Sequence, residues 1–72
     1  KEGALFKRHR FPDFKAAMAF ANRVAELAES QDHHPDILIQ FHTVQLTLVT
    51  HSAQGLTEKD FRLAEAIDAL FS

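Results

Sequence analysis

The hydrophobic period of this chain changes at Pro35, and that change limits what the chain can fold into. Before the proline, Phe14, Ala17, Met18, Ala21, Val24, Ala25 and Ala28 recur at three- and four-residue steps along the run Phe14 to Ser30. That spacing lays one apolar stripe along a helix. After the proline, Val44, Leu46 and Leu48 alternate with Gln45 and Thr47, the two-residue period of a strand with one buried face. The residue before a proline is pushed out of helical geometry, so the helix has to end within Gln31-Asp32-His33-His34-Pro35. A chain carrying both periods buries its apolar surface by laying helix on sheet.

The remaining elements follow from caps and turns. Asp13, after Phe11-Pro12, is placed to cap the first helix. Ala4 to Phe11 alternates polar with apolar residues and reads as a strand, Ile37 to Phe41 as a second and Val44 to Thr50 as a third. Val49 breaks the alternation, so the opposite face of the third strand is expected to be partly covered. His42 and Thr43 are all that separates the last two strands, which calls for a tight hairpin, although the pair is a poor match to the favoured Asn-Gly turn. Ser52 to Leu56 is a loop containing Gly55. Thr57 with Asp60 then forms a capping box with Asp in place of Glu, Leu56 and Phe61 stand at staple positions, and Phe61, Ala64, Ile67 and Leu70 make the stripe of a second helix. The expected fold class is α+β, an antiparallel sheet with helices packed on one face, in the order strand, helix, strand, strand, helix.

Size bears on assembly. A chain of 72 residues buries only about 60% of the surface that its unfolded form exposes. With no cysteine to form a disulfide framework, association into a homodimer or homotetramer is the expected source of further stability. The longest apolar stretch, Ala16 to Ala21, is too short to cross a bilayer and nothing at the amino end resembles a signal peptide, so a soluble, cytoplasmic protein without a membrane partner is expected. A net charge of −2 argues against direct nucleic-acid binding, and the short basic run Lys7, Arg8 and Arg10 reads as the solvated part of a strand.

Five histidines are many for so short a chain. With the hairpin centred on His42 and Thr43, Phe41 faces Val44 and His34 faces His51, with His33 beside them. Opposed residues in an antiparallel pair have Cβ atoms about 4.5 to 5.5 Å apart. Imidazole gives and takes protons near neutral pH, so such a group suits acid–base work. On spacing alone, a set of surface histidines at a hairpin end is an even alternative. A metal site is a third reading, weakened because the adjacent pair converges poorly on one ion and no cysteine is available. Glu29 and Asp32 accompany the group, and either carboxylate can hold a histidine tautomer. His9 reads as a solvated strand residue and His42 as a turn residue.

The run Asp32-His33-His34-Pro35, the two strands after it, Thr50-His51, Gly55-Leu56-Thr57, Asp60, Leu63-Ala64 and Ile67 together resemble the pterin-4a-carbinolamine dehydratases. The resemblance spans the chain from Phe11-Pro12-Asp13-Phe14 onward. It implies dehydration of a 4a-hydroxytetrahydropterin to the quinonoid dihydropterin, with no metal or redox cofactor. It also implies His33, His34 and His51 as catalytic residues, the first and last moving protons and the middle one chiefly holding the pterin. Glu29, Pro35, Thr50, Ser52 and Asp60 join the three histidines in the implied binding site. Residues 1–72 read as a single domain of this kind that lacks the family's first helix and strand, with Lys1-Glu2-Gly3 as the turn after that strand. Two departures stand out: Phe41 where the family usually has Tyr or Trp, and Ile37 where a second aromatic is common. Relatives of the fold also serve as protein-binding modules, in transcription-factor dimerisation and in Rubisco assembly, so a protein partner is the rival function.

Overall fold

The computed structural model describes residues 4–49 and 56–71. Five elements follow one another along the chain: β1 (Leu5–Arg10), α1 (Phe14–Gln31), β2 (Asp36–Gln40), β3 (Thr43–Leu48) and α2 (Glu58–Ala69). The sheet is antiparallel with the order β1-β3-β2, and both helices cover one of its faces. This is the expected α+β arrangement.

β3 is the centre of the molecule because its alternation is the cleanest in the sequence. Val44, Leu46 and Leu48 are fully buried, while Thr43, Gln45 and Thr47 on the other face are half-buried. Against the buried row pack Ala17, Phe20 and Val24 of α1 and Leu63 and Ile67 of α2. Asp13 accepts a hydrogen bond from the Ala16 amide at 2.8 Å and so starts α1 as expected. The helical stripes turn out rotated from their expected centres. Phe14 and Ala25 are exposed and Phe20 takes a core position. In α2, Phe61 is half exposed and Leu63 is buried. Each shift is within one residue of the expected face, which a three-to-four-residue period leaves open at its edges.

The hairpin differs from the expected one. Its two-residue turn is Phe41-His42, Gln40 pairs with Thr43 and Asp36 pairs with Thr47, where the expected register set Asp36 against Val49. Thr43 is β-branched and prefers a strand, while Phe41 adopts a φ of 53° to make the turn. A displacement by two residues leaves every side chain on its expected face, so the core survives the correction. The expected opposition of His34 and His51 depended on the other register. Thr50, His51, Ser52 and the loop around Gly55 lie outside the described residues.

His9 is a second correction. Its ring packs among Phe20 and Phe71, with centroids at 5.3 and 4.5 Å, and lies 6.5 Å from Phe11. Its Nε2 is buried without a hydrogen-bond partner among the described residues. A histidine alternating with arginines gives no sign in the sequence that its own face of the strand turns inward. Burial lowers its pKa from 6.5, the Lys7 ammonium lowers it further, and Asp68, which Lys7 meets at 2.7 Å, opposes them.

Two expectations follow. Leu46, fully buried on the central strand, costs about 2 to 5 kcal/mol when cut to Ala, read by urea denaturation. Well above pH 6.5, His9 is neutral in folded and unfolded chains alike. Below it the unfolded chain takes up a proton that the folded chain resists, so stability falls as pH drops from there toward the lowered folded value. His9→Leu therefore loses part of that fall, seen when denaturation midpoints at about pH 7.5 and about pH 5 are compared with the parent's.

Candidate functional site

The site begins with the way α1 stops. Asp32 closes the helix in the left-handed region, φ 50° and ψ 45°, its amide bonding to the carbonyls of Ala28 and Glu29. The His33 amide reaches Ala28 O at 3.0 Å, which completes a Schellman-type cap. Aspartate tolerates this conformation better than most residues. His33 is thereby fastened to the last turn of α1, and Pro35 carries the chain directly into β2.

Each of the two histidines meets a carboxylate. His33 is 9% exposed, and its Nε2 lies 2.6 Å from Asp60 Oδ1. Asp60 is fully buried and its Oδ2 accepts the Thr57 amide at 2.9 Å, the capping box read from the sequence. A carboxylate that accepts with both oxygens fixes the Nε2–H tautomer of His33 and leaves Nδ1 as the proton acceptor. His34 points the other way. Its Nε2 lies 2.6 Å from Glu29 Oε2, with side chains 57% and 76% exposed.

The structure thus brings together four of the implied site residues, Glu29, His33, His34 and Asp60, beside half-buried Pro35. It gives Asp32 a different task from the expected one: its role is the left-handed cap, and its side chain bonds to neither imidazole. The pairing of His33 with Asp60, 27 residues apart, was not readable from local pattern. Its one signal was the capping box, which placed a carboxylate at the third position of α2. Phe41, 67% exposed, stands beyond the far end of β2 from the histidines, at roughly 3.3 Å per residue well out of reach of a ligand held by them within one chain. Among the described residues no group of three His, Cys, Asp or Glu side chains converges to hold a metal ion, and no helix is long and apolar enough to cross a membrane.

Known proteins resemble this chain over nearly its whole length. Residues 1–70 match the family described as pterin 4 alpha carbinolamine dehydratase. A curated protein of Acidobacterium capsulatum, named "Putative pterin-4-alpha-carbinolamine dehydratase", is 63% identical over 83% of this chain, which spans 65% of that relative's length. A crystal structure of a transcriptional coactivator/pterin dehydratase from Brucella melitensis matches with a TM-score of 0.87 at 38% identity, covering 92% of this chain and 70% of the other. A pterin dehydratase-like protein identified as a RuBisCO assembly factor in the α-carboxysome matches with a TM-score of 0.79 at 30% identity, covering 96% and 83%.

The double duty of Asp60 sets an order of stabilities. Thr57→Ala removes one cap and costs about 1 kcal/mol. Asp60→Ala removes the reciprocal cap and strands the His33 ring, a buried polar group whose lost partner costs about 1 to 3 kcal/mol more. Chemical denaturation of the two variants should rank Asp60→Ala well below Thr57→Ala.

Proposed function

The chain belongs to the pterin-4a-carbinolamine dehydratase family, and from that membership we propose that it dehydrates a 4a-hydroxytetrahydropterin to the quinonoid dihydropterin by histidine acid–base catalysis. The observation that carries the reading is the pair of adjacent imidazoles with each Nε2 on a carboxylate at 2.6 Å, one turned inward and one toward solvent.

Loss of water from a carbinolamine needs two proton transfers. A base takes the proton from the ring nitrogen beside the hydroxyl-bearing carbon, the N–H electron pair becomes the new C=N bond, and the C–O bond breaks as an acid protonates the departing hydroxyl. In this reading His33 moves one of those protons through Nδ1, with Asp60 holding the ring as a positioning residue that does not touch the pterin. His51 is assigned the other transfer by family resemblance. His34, steadied by Glu29, holds the pterin, and the family resemblance assigns Pro35, Thr50 and Ser52 to substrate binding as well. A homodimer or homotetramer working in the cytoplasm, without metal or redox cofactor, belongs to the same proposal.

A second reading draws on the RuBisCO assembly factor that shares this fold: a binding module for another protein, with the histidines retained by descent. The two readings separate on a synthetic carbinolamine. The enzyme reading expects saturable turnover that His33→Ala lowers by about 10² to 10⁴-fold, while His34→Ala raises KM more than it lowers kcat. Chelator should leave the rate intact, and sedimentation should show more than one chain. A parent protein that neither turns over the carbinolamine nor binds a dihydropterin product analogue favours the protein-partner reading.

A further inference from the structure

The face of the sheet away from the helices has its own organisation. Three rows cross it in register: Phe6, Thr47 and Asp36; then Arg8, Gln45 and Leu38; then Arg10, Thr43 and Gln40. Arg8 and Arg10 are exposed, and their guanidinium groups form no hydrogen bond or ion pair with any described residue. They stand two residues apart on one strand face, about 6.6 Å along the chain, and with Thr43 they line a hollow of about 330 Å³. The acidic residue on this face, Asp36, is in the row farthest from Arg10.

We propose that this corner of the sheet is a second site, which takes the phosphoryl group of a small phosphorylated molecule. The inference is independent of the proposed dehydratase activity. Two guanidinium forks match the oxygens of a phosphate dianion in charge and in geometry. The Thr43 hydroxyl, 3.5 Å from His42 Nδ1 and so barely engaged, adds a neutral donor beside Arg10.

Magnitudes favour a small ligand over a polymer. The hollow of about 330 Å³ is at the lower end of the roughly 300 to 1,000 Å³ of small-molecule pockets. A nucleic-acid strand binds through several phosphates at once, whereas this face offers two cations among the described residues, on a chain of net charge −2. The site is also apart from His33 and His34. They precede Asp36, while Arg10 and Thr43 stand in the row of Gln40, at the other end of β2.

The test is titration of the intact protein with inorganic phosphate, with a nucleoside monophosphate and with a single-stranded oligonucleotide, followed by calorimetry and by backbone amide shifts. Phosphate and the monophosphate should bind saturably and shift the amides of Arg8, Arg10 and Thr43. Arg8→Gln and Arg10→Gln should each weaken binding by about tenfold or more. Arg23→Gln, which removes an exposed cation from α1, should leave it unchanged. No saturable shift, an equal loss in Arg23→Gln, or shifts centred on His33 and His34 would each overturn the site. Binding of the oligonucleotide without the monophosphate would overturn the assignment to a small ligand.

Discussion

A single buried carboxylate ties the two halves of this fold together. Asp60 is fully enclosed, and it tolerates that enclosure because Oδ1 meets the His33 ring and Oδ2 meets the Thr57 amide. An unpaired carboxylate in that position would cost several kcal/mol. The position therefore requires α2 to begin where it does and the chain after α1 to turn where it does. His33 in turn owes its place to the left-handed Asp32, which lets the His33 amide close the last turn of α1. The end of one helix and the start of the other meet at one imidazole.

That arrangement separates two neighbouring residues of the same type. His33 faces the protein, held by a carboxylate that cannot swing away without uncapping a helix. Its neighbour faces water and is held by a surface glutamate on the preceding turn. Adjacent histidines on an irregular segment point in different directions, so doubling the residue supplies two environments instead of two copies of one. Acid–base chemistry on one substrate needs such a difference, since a donor and an acceptor must coexist at the same pH.

The period change at Pro35, the caps at Asp13 and Thr57 and the alternation of β3 were legible because each depends on residues within a turn or two of one another. What was not legible depended on longer reach. The hairpin register followed from the willingness of Phe41 to take a positive φ, which no pattern rule favours for an aromatic residue. His9 sits between two arginines in the sequence, and only the packing of Phe20 and Phe71 reveals that its ring is enclosed. Phe14 and Phe61 were assigned to the core by spacing, but they sit at the edge of their stripes, where a rotation of one residue decides between core and solvent. The family resemblance named Asp60 as a site residue, and local pattern named it as a cap. Neither source alone showed that one oxygen of this side chain meets the His33 ring while the other caps α2.

The Glu29–His34 pair has a consequence for comparing chains of this fold. An exposed histidine–carboxylate contact of this kind contributes about 0 to 1 kcal/mol, so a lineage that stopped using it would lose almost nothing by letting it drift. The buried Asp60–His33 contact is different, because drift there loosens a helix. Retention of the buried pair in a distant relative therefore reports mainly on foldability. Retention of the surface pair, which the fold does not need, reports on use.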